Sequence, residues 1–473
     1  MSSENQIQPS FRLVLYVVLL LSALSFLKTD FTLGKFSTKK IDLFSDLKEK
    51  KAEKKIVRKI IPPQPPAKDS LAKKENVLLL ERYESDTSFS WKNLFTKIQS
   101  VQKGDKTKVR IAWFGDSLIE GDIITQDARS ALQKKFGGSG VGFVPITTHV
   151  PGFRQTINWT FADSWKTFSL TDSVKHKVPY GPYGQVYMPR KISRGTDSAT
   201  AAGEASWVKY SSVKSSLKGL DTLYNISLYY SRADSGDYIL YSLNGSSSFK
   251  KIFLTAGSKI SKLDLNQNLP VHSIQIKFVP NDTLFVYGLS FESQKGIFID
   301  NYSLRGSSGI HLSGVKQSVW KQFQQVRNYD LIVFQYGVNI ASPTMEDYSW
   351  YENSFGKTIK FLKTTYTQTP IVIIGCTDRS IKKDGKYVTM PTIYSLINSQ
   401  RDIASDNKIS FWDLFTAMGG DSSMIRMADA KPPLANKDYT HFKATGGKVV
   451  ADDFVQSLLF EYNWFLQNPV KKK

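Results

Sequence analysis

The apolar positions of this chain follow two patterns, one interrupting the other. On both sides of a central stretch, short apolar runs alternate with segments whose hydrophobic residues recur every three or four positions. This alternation predicts strands separated by helices, and hence a parallel sheet covered by helices on both faces. Helical spacing also occurs within 77–108. The predicted strands are 109–114, 330–334, 370–375 and 408–411. The other predicted helices are 126–135, 350–366 and 446–464.

Between about 155 and 295 the apolar residues alternate with polar ones at a period of two. Short alternating runs are separated by Ser-Gly-Asp, Asn-Gly-Ser and Pro-Asn-Asp, which are turn signals. Strands at this spacing are typical of a sandwich or jelly roll and not of βαβ units. The predicted strands are 222–230, 237–242, 248–254, 273–279 and 283–292. The sequence therefore predicts a β-rich domain inserted into a split α/β domain.

The N-terminal region has the features of a membrane anchor followed by a stalk. Residues 13–27 are uncharged and rich in Leu and Val. They are shorter than the roughly 20 residues of a bilayer span, which fits a signal-peptide core or a tight signal anchor. The lysines that follow oppose export, but large domains are translocated despite such a bias, so we expect an uncleaved inner-membrane anchor with the body in the periplasm or cell envelope. Residues 29–76 are rich in Lys and Glu and end in Pro pairs; this favours an extended stalk, with a linker of no further function as an equal alternative.

These patterns divide the chain into five segments. They are an anchor over 1–28, a Lys- and Pro-rich linker over 29–76, the first part of the α/β domain over 77–155, the inserted β-rich domain over 156–295, and the second part of the α/β domain over 296–473.

The charge of the chain limits its partners. The formal net charge is +21, of which +7 lies in residues 1–76 with their 15 basic and 8 acidic side chains. A basic surface favours nucleic acid, anionic lipid or acidic polysaccharide. The sequence lacks helix-turn-helix, zinc-finger and RNP patterns, so we expect no nucleic-acid partner. Aromatic residues make up 13%; such residues can stack on sugar rings, although core packing is their commoner use.

Several residues that often hold cofactors are not arranged for that purpose here. Cys376 is the one cysteine and lies in an apolar run, which predicts a buried small hydrophobic residue and excludes an internal disulfide. The glycine-rich loop 137–143 lacks the Lys-Ser/Thr ending of a P-loop. His149, His176 and His272 have no metal-ligand spacing with Asp, Glu or Cys. We therefore expect no metal and no cofactor.

Two distant motifs supply a nucleophile and its base. Gly115-Asp116-Ser117-Leu118 directly follows the strand 109–114, so Ser117 lies just past the carboxyl end, where open α/β sheets place ligands. Asp438 and His441 are close enough in sequence for the carboxylate to hold Nδ1, which leaves Nε2 to accept the serine proton. Taken alone, the first motif could be a helix cap and the second a surface turn.

Attack on a carbonyl also requires donors for the developing oxyanion. Asn339, in Gly337-Val338-Asn339 after the strand 330–334, could offer its side-chain amide. Gly306 could offer a backbone N–H, with Gly309 as an alternative, and Ser117 its own N–H. His311 could line the cleft, but we expect it to have a structural role. Asp122 and Asp127 are expected to be solvated carboxylates at a helix start.

In this order, Gly115-Asp116-Ser117-Leu118, Gly306, Gly337-x-Asn339 and Asp438-x-x-His441 resemble the four blocks of the SGNH (GDSL-type) hydrolase superfamily. The Gly-Asp-Ser opening, the run 136–143 and the long β insertion resemble extracytoplasmic peptidoglycan O-acetylesterases, in which the insertion is similar to a carbohydrate-binding module. The resemblance implies a three-layer α/β/α domain interrupted by an inserted β-sandwich. It also implies that Ser117 is the nucleophile, His441 the base and Asp438 its orienting group, with Ser117, Gly306 and Asn339 as oxyanion donors. One departure is Ile340, where many members have Asp.

The sequence thus predicts a membrane-anchored serine esterase that removes O-acetyl groups from peptidoglycan or another surface polysaccharide through an acyl-enzyme. A polysaccharide O-acetyltransferase with the same triad is the nearest alternative, since exclusion of water decides between hydrolysis and transfer. A non-catalytic glycan-binding scaffold is a second alternative. A lipase-like carboxylesterase is a third, although the sequence lacks an obvious apolar lid segment.

Overall fold

The structure is a computed structural model of the 473-residue chain. It describes residues 66–84, 89–193, 195–266 and 270–468, together with the short pieces 12–13, 15–17, 19, 32–33 and 36–37. By its internal contacts the chain divides into the units Met1–Arg58 and Lys59–Lys473. Most of the expected anchor and linker, 1–28 and 29–76, lies outside the described residues. Within the described residues, the structure contains no helix that combines the length and apolarity required for a membrane span.

The strands are numbered here in chain order. They are β1 Thr32–Leu33, β2 Phe36–Ser37, β3 Glu81–Arg82, β4 Lys108–Gly115, β5 Gly142–Val144, β6 Asn158–Phe161, β7 Lys166–Ser169, β8 Gln185–Met188, β9 Ser206–Ser211, β10 Ile226–Ser231, β11 Tyr238–Leu243, β12 Lys250–Phe253, β13 Ser261–Asn266, β14 Ser273–Val279, β15 Phe285–Phe291, β16 Gly296–Ser303, β17 Leu331–Gln335, β18 Ile371–Ile374, β19 Ser380–Lys383, β20 Lys386–Thr389 and β21 Ser410–Trp412. In the first unit, β1 pairs antiparallel with β2.

The α-helices of the second unit are numbered in the same way. They are α1 Pro66–Glu75, α2 Phe89–Gln102, α3 Thr125–Phe136, α4 Ser198–Glu204, α5 Gln317–Arg327, α6 Ser349–Lys363, α7 Ile393–Asp406, α8 Leu414–Ala417, α9 Ser423–Asp429 and α10 Ala444–Gln467.

A six-stranded sheet forms the centre of the α/β domain. Its order is β16-β4-β17-β18-β21-β3, and every neighbouring pair is parallel except the edge pair β21–β3. The register places Gly115 of β4 beside Ser303 of β16 and Gln335 of β17. Three strands therefore end at the same level, so the loops that follow them emerge side by side.

Helices cover both faces of this sheet, because successive residues of a strand point to opposite sides. In β4, Val109, Ile111 and Trp113 are buried in one hydrophobic cluster with α2, α3 and α10. Ala112 and Phe114 are buried in a second cluster with α5, α6 and α7. The α/β domain thus has the three layers that the sequence predicts.

The central segment forms two antiparallel sheets. One has the order β13-β10-β15-β8-β7, with β5 also paired to β15, and the other has the order β12-β11-β14-β9-β6. Tyr210 and Phe291, one from each sheet, place their ring centroids 5.2 Å apart. Phe143 contacts Tyr302 of β16 with centroids 5.3 Å apart. β5 lies within 77–155, the segment predicted to belong to the α/β domain, but it pairs with β15 of the inserted domain. The inserted sheets and one face of the α/β sheet also share one hydrophobic cluster.

Buried charges also connect the inserted sheets to the α/β domain. Arg327 at the end of α5 is fully buried and contacts both Asp300 of β16 and Glu292 just after β15, in each case at 2.5 Å. Glu292 also binds Arg110 of β4 at 2.9 Å. Removal of one partner of such a pair leaves an uncompensated buried charge, so the network favours a single arrangement of these elements.

Candidate active site

Ser117 begins the loop that follows β4. A Cβ at Gly115 would lie 2.9 Å from the main-chain oxygen of Gln335, so only glycine fits between the two strands at this point. The next residue, Asp116, is fully buried, and its Oδ1 accepts a hydrogen bond from Leu118 N at 3.0 Å. The turn is thereby fixed, and Ser117 lines an open cleft.

Ser117, His441 and Asp438 contact one another in series. Ser117 Oγ lies 2.9 Å from His441 Nε2, and His441 Nδ1 lies 2.8 Å from Asp438 Oδ2. Both are hydrogen-bond distances. The structure therefore brings the Ser117 hydroxyl to an imidazole and a carboxylate that lie more than 300 residues later in the sequence. The ring nitrogens have the order required for proton transfer from the serine.

Asp438 is held in the ionised form by donors of its own loop. Partial burial would raise the pKa of its carboxyl, but the backbone N–H groups of His441 and Thr440 and the His441 ring lower it below the ordinary value. Both N–H groups donate to Oδ1 at 3.0 Å, which leaves Oδ2 for the ring. The carboxylate is therefore charged at neutral pH and fixes the imidazole orientation.

The loop that carries Asp438 and His441 is closed at its base and braced by the last helix. Asn436 N donates to His441 O at 2.8 Å, and Lys443 N donates to Leu434 O at 2.8 Å. The helix α10 starts at the next residue. A Cβ at Gly446 would overlap the main chain of Leu434, and one at Gly447 would lie 3.0 Å from Ile124 N in the loop after Ser117. Two glycines thus let the helix pack directly against Leu434 and Ile124, which adjoin the loops that carry His441 and Ser117.

Gly306 and Asn339 follow β16 and β17, the two strands that flank β4, and Ser307 connects them. Asn339 Nδ2 donates to the main-chain oxygen of Ser307 at 2.9 Å, which uses one of its two amide hydrogens. Gly309 N donates to Ser307 Oγ at 3.2 Å. Gly306 N has no partner among the described residues. Between the two glycines, Gly306 is therefore the better candidate for an oxyanion donor.

His311 holds this loop and does not line the cleft. Its Nε2 lies 2.9 Å from Ser307 Oγ. Burial, with a contribution from Lys175, lowers the pKa of His311 to about 4, so the ring is neutral at physiological pH. His311 thus has the structural role expected from the sequence, in that it fixes Ser307, which in turn holds the Asn339 amide.

The loop after β17 is fixed without the Asp that many SGNH hydrolases have at the position of Ile340. Arg379 donates to the main-chain oxygens of Val338 and Ala341 at 2.8 and 3.1 Å. Ile340 is buried, and its N–H donates to Gly337 O at 2.9 Å. A guanidinium from another loop therefore shapes the turn that presents Asn339. Sequence reasoning missed Arg379 and Ser307, because neither forms part of a local motif.

Asp116 places a carboxyl behind both the nucleophile and the oxyanion loop. Burial raises its pKa to about 7, although the N–H groups of Leu118 and Gly337 and the Asn339 amide favour the ionised form. Its Oδ2 is buried and has no hydrogen-bond partner of normal length among the described residues. Asp116 is therefore a buried group that titrates near neutral pH beside the candidate oxyanion hole.

One expectation for the residues after Ser117 is wrong. Asp122 and Asp127 are not solvated, since they are only 1% and 9% exposed. Asp122 binds Arg129, and its Oδ2 also lies 3.2 Å from Arg154. The two guanidiniums hold the pKa of this carboxyl well below its ordinary value against the effect of burial. This cluster fixes the loop between Ser117 and α3.

Cys376 is buried, as the sequence predicts, and burial raises the pKa of its thiol to about 12. It lies directly beneath Gly337, where a Cβ would approach its sulfur to 2.6 Å. Among the described residues, the structure contains no group of His, Cys, Asp and Glu side chains arranged to bind a metal ion.

The cleft in front of Ser117 has a volume of about 560 Å³ and is open to solvent. Asp438 and His441 form one side, and Arg305 and Phe153 contribute to its lining. The volume falls within the roughly 300–1,000 Å³ typical of small-molecule sites. The arrangement can therefore admit an ester and attack it with the Ser117 hydroxyl.

Comparisons with known proteins support the fold. A solved structure of a peptidoglycan O-acetylesterase superposes with a TM-score of 0.62 at 21% sequence identity, covering 81% of this chain and 99% of that one. The chain has the fold of that esterase. This confirms, at the level of the fold, the mixed α/β architecture predicted from the sequence.

Other similar structures match less closely. An acetyl xylan esterase has a TM-score of 0.26 at 18% identity, over 35% of this chain and 82% of its own. Axe2, an acetylxylan esterase from Geobacillus stearothermophilus, has a TM-score of 0.26 at 17% identity, over 35% of this chain and 74% of its own. No family model and no curated protein sequence matches the chain.

Proposed function

We propose that the protein is a serine esterase that removes O-acetyl groups from a carbohydrate. The observation that carries this proposal is the series of contacts from Ser117 Oγ through His441 to Asp438, at 2.9 and 2.8 Å. A serine hydroxyl becomes an effective nucleophile when an oriented imidazole accepts its proton. The fold shared with a peptidoglycan O-acetylesterase supports a glycan substrate.

The geometry accounts for each step of ester hydrolysis. Ser117 Oγ attacks the acetyl carbonyl while His441 Nε2 takes its proton, and Asp438 stabilises the imidazolium that forms. The N–H groups of Ser117 and Gly306 and the side-chain amide of Asn339 receive the oxyanion. His441 then protonates the sugar oxygen as the alcohol leaves. A water molecule, deprotonated by the same imidazole, releases acetate from the acyl-enzyme and restores Ser117.

Exposure of the base favours hydrolysis over transfer to a sugar. The side chains of His441 and Asp438 are 37% and 48% exposed, and the cleft beside them is open. A transferase must exclude water from its acyl-enzyme, whereas this arrangement gives water direct access to the group that would activate it. We therefore place the esterase before the acetyltransferase.

The finer parts of the proposal concern substrate and location. We propose peptidoglycan or another surface polysaccharide as the substrate, with the two antiparallel sheets of 156–295 forming a β-sandwich that positions glycan in the manner of a carbohydrate-binding module. The predicted anchor in 1–28 would hold the body at the outer face of the inner membrane. The net positive charge of the chain suits a polymer that carries carboxylates.

The test is acetate release by the full-length protein from p-nitrophenyl acetate and from O-acetylated peptidoglycan. We expect Ser117→Ala and His441→Ala each to lower turnover by at least ~10³, because each removes one member of a unit that acts together. Circular dichroism and the unfolding midpoint check that both variants fold. Wild-type rates in either variant would refute the assignment. Acetyl transfer to added de-acetylated glycan would favour the transferase. Inactivity on every ester would favour a glycan-binding scaffold.

A further inference from the structure

A second cavity adjoins the catalytic cleft on the side of the inserted sheets. It has a volume of about 260 Å³ and is lined by residues of three parts of the chain, among them His149, Trp159 of β6, Gln185 of β8 and Ser303 of β16. Glu120, Gly121 and Arg305 line both this cavity and the cleft of Ser117. The ion pair between Arg305 and Glu120 therefore forms part of the boundary between the two spaces.

The charges that line this cavity are already balanced. Arg305 pairs with Glu120, and Arg154 lies 3.2 Å from Asp122, with both carboxylates also in the lining. The carboxylates beside each guanidinium would repel an anionic ligand, and the guanidiniums would repel a cationic one. The cavity therefore favours an uncharged ligand, although the chain as a whole is basic.

Donors and aromatic surface in the cavity suit a ligand with many oxygen atoms. Trp159 packs on Tyr210 with centroids 6.5 Å apart, and its Nε1–H is buried without a partner among the described residues. The Gln185 carbonyl oxygen accepts from the Tyr187 hydroxyl at 3.0 Å, while the Gln185 amide nitrogen has no partner in the described part of the chain. The Gln185 amide can therefore donate to a ligand oxygen, and the Trp159 ring contributes aromatic surface. Aromatic side chains beside amide groups are a recurrent way to bind sugar rings.

Resting on the proposed function, we propose that this cavity is a subsite for one uncharged pyranose residue of the glycan, adjacent to the residue whose acetyl group is removed. A volume of 260 Å³ is below the roughly 300–1,000 Å³ of pockets for drug-sized ligands, so it fits one ring and not a longer chain. The shared boundary at Arg305 and Glu120 gives a linked sugar a short path to the cleft. The subsite would place the glycan so that its ester meets Ser117.

The test separates glycan positioning from chemistry. In full-length protein, Trp159→Leu removes the aromatic ring that lines the cavity, and Gln185→Leu removes the amide at similar volume. For each variant, kcat/KM is measured on O-acetylated peptidoglycan and on p-nitrophenyl acetate. We expect the ratio of glycan to small-ester kcat/KM to fall about two- to tenfold in each variant and further in the double variant, because each variant removes one contact with the bound sugar.

Phe253→Ala is the matched control, because this exposed aromatic residue of β12 lines neither space. Its ratio should equal that of the wild type. A fall in the Phe253 variant alone would place glycan on the outer sheet and overturn the subsite. An unchanged ratio in the Trp159 and Gln185 variants would also overturn the subsite. The esterase assignment would still hold in that case, provided that the wild type hydrolyses the glycan ester.

A binding measurement keeps the inference testable if the wild type hydrolyses no ester. N,N′-diacetylchitobiose, an uncharged disaccharide of N-acetylglucosamine, is titrated into full-length Ser117→Ala protein and followed by saturation-transfer NMR. We expect millimolar binding that the added Trp159→Leu and Gln185→Leu substitutions together weaken at least about fivefold. Equal binding with and without these substitutions would refute the subsite whatever the enzyme assay shows.

Discussion

At the scale of single residues, Asn339 depends on a main-chain contact for its orientation. Its amide donates to Ser307 O at 2.9 Å, and His311 and Gly309 hold Ser307 in turn. The motif Gly337-x-Asn339 could be recognised in the sequence, because it follows a strand directly. Ser307 and Arg379 could not, since a serine or arginine in a loop has no pattern that reveals which carbonyl it will meet. The position of the candidate donor after a strand was thus predictable from sequence, and the contacts that hold it were not.

Asn339→Ala tests the oxyanion role. We expect kcat on p-nitrophenyl acetate to fall about 10²–10³-fold with KM nearly unchanged, because the amide hydrogen acts on charge that develops in the transition state. Steady-state kinetics measure this split. Ser307→Ala retains the main-chain acceptor and should lower kcat far less. A rise in KM with unchanged kcat in Asn339→Ala would place the amide in substrate binding instead.

Asp116 allows a prediction about pH. Its pKa is about 7 in the folded chain, above its ordinary value of 3.8. The folded protein therefore retains a proton that the unfolded chain loses between these values, so Asp116 makes the free energy of unfolding decrease as pH rises from about 4 to about 7. Asp116→Asn removes that contribution, up to ~1.4 kcal/mol per pH unit. Urea denaturation over this pH range should show a flatter profile for the variant; identical profiles would contradict the prediction.

At the scale of elements, the strands and helices of the α/β domain were the most predictable part. The predicted strand 109–114 is observed as Lys108–Gly115, and the predicted helix 126–135 as Thr125–Phe136. The strand lies inside a buried sheet and the helix packs against one face of that sheet, so the apolar pattern of both elements is strong. The helical spacing within 77–108 holds only for Phe89–Gln102, because Glu81–Arg82 adds to the edge of the sheet.

Buried polar clusters limited the prediction at this scale. Asp122 was expected to be solvated because its sequence neighbourhood resembles an ordinary helix start. Of its partners, Arg129 lies on the helix that follows, and Arg154 comes from the loop before β6, which meets Asp122 only in the folded chain. Periodicity reports which apolar residues share a face, but it does not report which charges of distant loops will meet.

The close approach of α10 to the catalytic loop predicts the effect of Gly446→Ala. The added methyl group would overlap the main chain of Leu434, which closes the base of the loop that carries Asp438 and His441. We expect kcat to fall at least about tenfold and the protein to lose roughly 1–3 kcal/mol of stability, as for overpacked cores. Activity assays and urea denaturation measure both effects.

Gly203→Ala is the control for that experiment. Gly203 is also helical, in α4, but a Cβ there meets nothing within 4 Å. Alanine favours helix by up to about 1 kcal/mol over glycine, so this variant should keep full activity and be at least as stable. Equal losses in both variants would show that helix composition, and not the contact with Leu434, determines the result.

At the scale of the whole molecule, the net charge of +21 predicts how the proposed esterase responds to salt. A basic protein attracts an anionic polymer over distances comparable to the Debye length, which shrinks from about 30 Å at 0.01 M to about 8 Å at 0.15 M salt. We expect kcat/KM on O-acetylated peptidoglycan, which carries carboxylates, to fall several-fold over this range. On p-nitrophenyl acetate and on an uncharged acetylated xylan it should stay nearly constant, because neither substrate is drawn by the field. Equal salt dependence for charged and uncharged substrates would mean that the positive charge serves another partner, such as the lipid surface, and plays no part in substrate capture.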